Sequence, residues 1–416
     1  SPAVHGAYRF DDGRLVSIRK STEKAVRYRV FRTGESRRLH PENETRYVAG
    51  PGFSDREPVE LIVDFRLDDS GQAASLVWRD GAAPEVTARR VNRAEPVSFV
   101  SDGARLSGRL DLPDAAGPHP AVVLVHGSGD SKATDYFCNG DFLAANGIAT
   151  LVFDKRGTGG SEGRYTVDYP QLARDVVAAV ELLAARDDID AGRIGLAGYS
   201  QGGWVAPLAA SMTDRVAFVL VSYGMIESSA VEARLETRIQ LRERGVDEAS
   251  LAEVDELTDA AVRVVHSGFK EGWDELAAIK KKTKGAPWRK QLGGTTVGAF
   301  VKYPRWLVKM IGPGRAPAGL DWYYDSDEVL DELSLPMLWM LGGADESAPN
   351  QETIPKLRAL SAAGKPYELV VFDGADHTML VFDEVAGERA YTGYAPDYFR
   401  TEVDGARRLA GLPPAR

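Results

Sequence analysis

Residues 194–204 constrain the fold more than any other part of the sequence. An apolar run at 194–197 leads into Gly198-x-Ser200-x-Gly202, and small apolar residues at helical spacing follow. A strand, a tight turn and a helix in this order hold a serine above the edge of a sheet. The glycines are required because a Cβ atom there would approach the neighbouring strand and helix too closely. The stretch therefore predicts an exposed nucleophile, Ser200, in a structure layered from strands and helices.

Strand and helix patterns alternate over most of the chain after residue 95. Strands buried on both faces are indicated by continuous apolar runs at residues 121–125, 148–153, 194–197, 216–221, 337–341 and 367–372. Helical patterns lie between them, including one around 136–145, and this alternation predicts an α/β fold with a mostly parallel, doubly wound sheet. A strand pair at 96–100 and 104–111 is expected to form its antiparallel edge.

Three patterns divide the chain into expected domains. Residues 1–95 alternate short apolar runs with turn residues, which predicts an N-terminal all-β module. Residues 96–225 and 326–416 carry the α/β pattern. Residues 226–325 interrupt it with helical and then Trp- and Tyr-rich sequence, which we interpret as a helical cap inserted over the site. Because the β-module clusters no nucleophile, base or metal ligand, we interpret it as structural.

Charge and cysteine content exclude several classes of protein. The 416 residues include 51 basic and 61 acidic side chains, a formal charge of −10, which argues against a nucleic acid or an anionic membrane as partner. No run of 18 apolar residues exists, so we expect a soluble protein without a membrane span. The single cysteine, Cys138, excludes an internal disulfide and a thiolate metal cluster. A cytoplasmic protein and an exported one with its signal removed both fit this composition, and the oligomeric state stays open.

A serine nucleophile needs a base and an acid, and the later strands supply both. Asp345 and His377 follow predicted strands by four and five residues. The carboxyl ends of parallel strands open on one edge of a sheet, so Ser200, Asp345 and His377 are predicted to meet there as nucleophile, acid and base. Asp376 competes for the acid role, but it directly precedes the histidine and is interpreted as a turn former.

Two backbone segments are expected to stabilise an oxyanion. The N–H of Gln201 lies where a helix begins behind Ser200. The segment His126-Gly127-Ser128-Gly129 directly follows a predicted strand, and its Gly127 or Ser128 amide is expected to supply the second N–H. We interpret His126 itself as a structural residue that braces this loop.

Aromatic residues near the serine and in the cap are the candidates for substrate binding. Tyr199 and Trp204 flank the motif, and Trp306, Trp322 and Tyr323 lie in the aromatic part of the insertion. Packing within a hydrophobic core is the alternative interpretation of each of them.

These motifs together resemble the α/β-hydrolase superfamily. The resemblance rests on the 126–129 loop, Asp154-Lys155-Arg156-Gly157 with its following glycine turn, the Ser200 motif and the Asp345 and His377 loops. It covers residues from about 96 to 416 and is greatest to bacterial serine esterases with an N-terminal β-domain. Peptidases of the prolyl oligopeptidase type are more distantly similar. The resemblance implies a Ser200–His377–Asp345 triad, an acyl-enzyme intermediate and a structural role for the 154–157 loop.

The leading hypothesis is a serine hydrolase that acts on small or medium acyl esters and needs no cofactor or metal. An acyltransferase, thioesterase or cyclase would use the same residues, and so would a peptidase. A non-catalytic binding protein has no physical need for this constellation. The sequence does not distinguish ester, thioester and amide, nor water from another acceptor of the acyl group.

Overall fold

The protein, described here from a computed structural model, begins with a nine-stranded antiparallel sheet. The structure describes residues 2–21, 24–130, 132–135, 137–295 and 297–415. The strands of the first sheet are β1 Gly6–Phe10, β2 Leu15–Lys20, β3 Val26–Val30, β4 Ser36–Arg38, β5 His40–Pro41, β6 Arg46–Ala49, β7 Leu61–Leu67, β8 Ala73–Asp80 and β9 Val86–Arg90.

The first sheet curls until its edges meet. Its order is β4-β3-β2-β1-β9-β8-β7-β6-β5, and only Leu39 separates the two edge strands in the chain. Side chains of alternate residues point inward, where Tyr8, Tyr28 and Trp78 pack in a core of their own. The opposite face of β1 to β3 is buried too, because Ala7 and Leu15 join a cluster contributed by the second sheet.

The second sheet has eight strands in the order β10-β11-β13-β12-β14-β15-β16-β17. Its strands are β10 Asn92–Ser101, β11 Ala104–Pro113, β12 His119–Val125, β13 Ala149–Phe153, β14 Ile189–Tyr199, β15 Val216–Ser222, β16 Met337–Gly342 and β17 Tyr367–Phe372. The pairs from β13 to β17 are parallel, and the β10–β11 hairpin forms the antiparallel edge. The predicted sheet is confirmed, and the expected boundary at residue 95 falls inside β10.

Helices cover both faces of this sheet, as its doubly buried strands require. The helices are α1 Asn139–Ala145, α2 Tyr169–Ala184, α3 Gly202–Ser211, α4 Ser229–Glu243, α5 Glu248–His266, α6 Trp273–Lys282, α7 Gly298–Lys302, α8 Arg305–Ile311, α9 Asp327–Glu332, α10 Thr353–Ala362 and α11 Tyr398–Leu409. Apolar residues of α2 and α3 pack on one face, and those of α1 and α11 pack on the other. The predicted helix at 136–145 corresponds to α1, and its Tyr136 lies outside the described residues.

Helices α4 to α8 form the insertion between β15 and β16. Buried side chains of the insertion, among them Leu251, Trp273 and Trp288, make a separate hydrophobic cluster. The N-terminus of α4 lies against the start of α2, where Tyr169 Oη and Ser229 Oγ are 3.0 Å apart. The insertion therefore has its own core and contacts α2 through α4.

A hairpin that the sequence did not predict follows the His377 loop. It consists of β18 Leu380–Val385 and β19 Glu388–Tyr394. Its second strand contacts the first sheet, since the Tyr394 N–H donates to the Gly34 carbonyl at 2.8 Å. The hairpin thereby links the N-terminal sheet to the carboxyl edge of the second sheet.

Candidate active site

Ser200 lies on a strained turn between β14 and α3. Its φ is 52°, in the left-handed region that non-glycine residues seldom adopt. A Cβ at Gly198 would stand 2.2 Å from the Gly202 carbonyl oxygen, and one at Gly202 would stand 2.2 Å from the Val125 carbonyl oxygen. Both positions therefore accept only glycine, and the turn holds the serine hydroxyl above the sheet edge.

His377 joins Ser200 to Asp345 through both ring nitrogens. The His377 Nε2 atom lies 2.9 Å from Ser200 Oγ, and Nδ1 lies 2.9 Å from Asp345 Oδ2. The other carboxylate oxygen of Asp345 accepts the N–H groups of Ser347 and Ala348 at 3.0 and 2.8 Å. Loops after three parallel strands thus bring the three side chains into one hydrogen-bonded row.

The environment of His377 favours its protonated form. Burial lowers the pKa of this imidazole, but the hydrogen bond and charge of Asp345 and the charge of Glu232 outweigh it, so the pKa is raised. The ring edge also contacts Tyr223, with ring centres 5.2 Å apart. A cation that forms on His377 is therefore stabilised in place.

His126 and Asp376, the two other side chains that the sequence places at this edge, have different surroundings. Burial lowers the pKa of His126 to about 3, and the ring packs against Phe153. His126 is therefore neutral near pH 7. Asp376 accepts hydrogen bonds from the N–H and hydroxyl of Thr378 and from the N–H of Leu380, so its carboxylate closes a turn.

The loop after β12 passes directly beside Ser200 and is supported from below by Lys155. A Cβ at Gly127 would stand 3.1 Å from the Ser200 Cβ. The Lys155 Nζ donates to the Gly127 carbonyl and to Gln201 Oε1, both at 2.7 Å. Burial lowers the pKa of this amine to about 7. One buried lysine thus connects the two segments that flank the serine.

Neighbouring residues of the 154–157 loop are also bound within the protein. Asp154 Oδ1 accepts the N–H and hydroxyl of Thr134, both at 3.1 Å. Arg156 forms a buried ion pair with Asp175. The loop is therefore fixed by its own side chains against the sheet.

Two cavities meet at Ser200 and Ser128. The first, of about 310 Å³, lies between the two sheets and is also lined by Arg29, Phe53 and His377; we call it the sheet-side cavity. The second, of about 250 Å³, lies under α4 and is also lined by Gln201, Trp204, Trp322, Glu232 and Glu236; we call it the cap-side cavity. A substrate that spans the serine would extend into both.

The sequence comparison fits this architecture. A model of the alpha/beta hydrolase family matches residues 122–390. The chain belongs to the alpha/beta hydrolase family. This confirms the resemblance and the fold class expected from the sequence.

Curated relatives of this α/β-hydrolase include three named hydrolases. Thiohydrolase aneE of Aspergillus aculeatus is 37% identical over 136 residues, 32% of this chain and 42% of its own length. Esterase EstD of Thermotoga maritima is 24% identical over 340 residues, 78% and 70% of the two chains. The 2,6-dihydropseudooxynicotine hydrolase of Paenarthrobacter nicotinovorans is 29% identical over 180 residues, which are 40% of this chain and 47% of its own length. The chain thus spans less than half of the first and third relatives.

Two solved structures are among those with similarity to this chain. The acylaminoacyl peptidase of Pyrococcus horikoshii has a TM-score of 0.46 and 14% identity, covering 96% of this chain and 55% of its own. The α/β-hydrolase GrgF of a Penicillium species has a TM-score of 0.45 and 19% identity, covering 77% and 100%.

The predicted substrate-binding residues divide between cavity and surface. Tyr199 lines the sheet-side cavity, and Trp204 and Trp322 line the cap-side cavity. Trp306 and Tyr323 line neither cavity and are 66% and 45% exposed. The sequence shows that the insertion is aromatic, but the side of each short element that faces the serine depends on how the insertion packs.

Three charged residues at the site were not identified from the sequence. Lys155 was part of a recognised loop, but its contact with Gln201 depends on the fold. Glu232 is one of many charged residues in a predicted helix, and nothing in the sequence distinguishes it from the others. Arg29 alternates with apolar residues along β3, and this period of two is typical of a strand with one face in solvent, so no signal in the sequence showed that the second face is covered.

Across the described ranges, no three His, Cys, Asp or Glu side chains are arranged to hold a metal ion. None of the helices in that part of the chain has the length and apolarity to cross a membrane.

Proposed function

We propose that this α/β-hydrolase is a serine esterase that cleaves small or medium acyl esters through an acyl-enzyme intermediate. The observation that carries the proposal is the hydrogen-bonded row Ser200–His377–Asp345, with both distances at 2.9 Å. A hydroxyl becomes a useful nucleophile when a base takes its proton and an acid stabilises the resulting cation.

The proposed reaction proceeds in two balanced steps. The Ser200 Oγ forms a bond to the acyl carbon while its proton passes to His377 Nε2. The bond from the acyl carbon to the alcohol oxygen then breaks, and that oxygen takes the proton from Nε2. Water attacks the acyl-enzyme in the same way, which releases the carboxylic acid and returns the proton to Ser200. Asp345 stabilises the imidazolium in both steps.

Peptide geometry favours Ser128 over Gly127 as the second oxyanion donor. The Gly127 carbonyl and the Ser128 N–H belong to one planar trans peptide and point in opposite directions. Lys155 binds that carbonyl from a position that lines neither cavity at the serine. We therefore expect the Ser128 N–H to point toward the cavities and to form the proposed oxyanion hole together with the Gln201 N–H.

A thioester is the second candidate substrate, because the 37% identical relative is named a thiohydrolase. The same triad and donors would serve, since a thiolate leaves without needing full protonation. A peptidase with a propeller has less support, because the N-terminal strands form one curled sheet and not a set of blades.

The test is the hydrolysis of 4-nitrophenyl butanoate and of a butanoyl thioester by wild-type protein and by Ser200→Ala. We expect wild-type protein to be labelled by a fluorophosphonate, and Ser200→Ala to lose labelling and roughly ten-thousand-fold or more of kcat. Ser211→Ala, which changes an exposed serine at the end of α3, is the matched control. Full activity of Ser200→Ala would refute the proposal, and the ratio of the two substrates decides between ester and thioester.

A further inference from the structure

The N-terminal sheet contributes directly to the cavity at Ser200. Along β3, Tyr28 and Val30 point into the core of the first sheet. Arg27 and Arg29 point to the opposite face and line the sheet-side cavity together with Ser200 and His377. A module that looks structural in the sequence therefore supplies cationic side chains to the candidate active site.

The guanidinium of Arg29 is buried without a carboxylate partner. It is 1% exposed, and Nη1 donates to the carbonyls of Arg19 and Arg27 at 3.1 and 3.3 Å. Its Nε lies 3.4 Å from Tyr394 Oη. Within the described residues, Nη2 has no hydrogen bond and no ion pair is made by this side chain. Nη2 is thus available to a group in the cavity.

The charges around Arg29 do not cancel. Arg19 pairs with Asp141, and Arg109 pairs with Asp111. These two pairs balance each other and leave Arg29 as the unmatched cation.

Glu402, another buried carboxyl near this cavity, does not offset that charge directly. It accepts hydrogen bonds from Tyr199 and Asn139, and burial raises its pKa to about 7. Burial lowers the pKa of Arg29, but Tyr394 and the charge of Asp141 help to outweigh it, so the pKa is raised. The guanidinium therefore stays charged and can bind an anion in the cavity.

The position of His377 indicates which part of a substrate would meet Arg29. The alcohol oxygen must receive its proton from His377 Nε2, and His377 lines the sheet-side cavity but not the cap-side cavity. The alcohol part therefore extends into the sheet-side cavity, and the acyl part extends under α4. Phe53, Phe137 and Tyr223 give the sheet-side cavity aromatic walls.

We propose that Arg29 binds a carboxylate on the alcohol part of the substrate, so that the preferred esters are those of flat or apolar hydroxy acids. The inference rests on the proposed function and adds a substrate class to it. The Nη2 atom remains to donate to that carboxylate, and a hydrogen bond between two charged groups is among the stronger polar contacts in proteins.

The test compares two matched esters, 3-(butanoyloxy)benzoate and 3-(butanoyloxy)benzamide, which differ in charge but hardly in shape. We expect wild-type protein to have the higher kcat/KM for the benzoate. In Arg29→Met the ratio of the two kcat/KM values should fall about 10- to 100-fold, the loss of one charged hydrogen-bonded contact. Arg29→Lys keeps the charge but not the shape of the guanidinium, so its ratio should lie between those of wild-type protein and Arg29→Met. Arg66→Met, an exposed arginine on β7, should keep the wild-type ratio.

A second measurement needs only wild-type protein, so it does not depend on whether the variants fold. In it, 3-hydroxybenzoate should protect Ser200 from fluorophosphonate labelling at lower concentration than 3-hydroxybenzamide. Equal kcat/KM values for the two esters, with equal protection by the two hydroxy compounds, would overturn the role of Arg29 but leave the proposed esterase activity intact. A preference that survives Arg29→Met would overturn it as well. Failure of the proposed function gives a different result, because labelling at Ser200 would then be absent altogether.

Discussion

Replacing Lys155 by methionine should slow the reaction more than it weakens substrate binding. The lysine is 3% exposed and donates to Gly127 O and Gln201 Oε1, both at 2.7 Å. Methionine fills a similar volume but provides no donor. The peptide that carries the Ser128 N–H would then lose the contact that fixes its orientation.

The expected loss of kcat follows from the contacts that Lys155→Met removes and from the N–H donors that it keeps. Removing an oxyanion donor outright costs about 100- to 1,000-fold in kcat. Lys155→Met keeps both N–H groups but loosens one, so we expect about a 10- to 100-fold loss in kcat, with KM within about threefold. Two buried acceptors lose their donor, at about 1–3 kcal/mol each. Because burying the amine is itself unfavourable, the net loss of folding free energy should be about 1–3 kcal/mol.

The assay measures kcat and KM for 4-nitrophenyl butanoate, the rate of fluorophosphonate labelling and the urea unfolding curve. Lys284→Met is the matched control, because this lysine is exposed. A folded Lys155→Met protein with kcat within threefold of the wild-type value would refute the bracing role. A large rise in KM with kcat unchanged would refute it equally, since that result describes lost substrate binding.

Two further expectations concern pH and the nucleophile turn. Because the pKa of His377 is raised, kcat/KM should fall as the pH decreases through a value above 6.5. Burial raises the pKa of Glu232 to about 7, so the charge with which it raises the pKa of His377 is present in full only above that pH. Glu232→Gln should therefore move the acid limb modestly to lower pH, while Glu243→Gln on the exposed side of α4 leaves it in place. Gly202→Ala puts a Cβ 2.2 Å from a strand carbonyl oxygen and should cost at least about 1–3 kcal/mol of folding free energy, whereas Gly192→Ala, with its nearest atom at 3.4 Å, should not. An unshifted profile, or equal urea midpoints for the two alanine variants, would contradict these expectations.

The sequence was most informative where function and fold use the same local signal. Ser200, Asp345 and His377 each follow a continuous apolar run, and the run places the residue at one edge of the sheet. The second sheet, its antiparallel edge and its helices followed from the same runs. The hairpin of β18 and β19 was missed because nearly all of its residues are half-buried or exposed and give no strong alternation.

Features that depend on how separate parts of the chain pack together could not be predicted from the sequence. Trp306 and Trp322 look alike in the sequence, yet only Trp322 reaches a cavity, because the insertion has its own core and orients its helices around that core. Glu232 faces His377 for the same reason. No pattern within α4 tells which side of the helix meets the sheet.

The position of Arg29 follows from how the two sheets are joined. Arg19, next to it on the same face, is 3% exposed and would be costly to bury alone. It binds Asp141 of α1, whose carboxylate also accepts from Ser17 at 2.6 Å. This buried pair helps to hold the first sheet on the second, together with Ala7 and Leu15, which pack in the hydrophobic cluster of the second sheet. The contacts that dock the N-terminal sheet therefore also fix Arg29 beside Ser200.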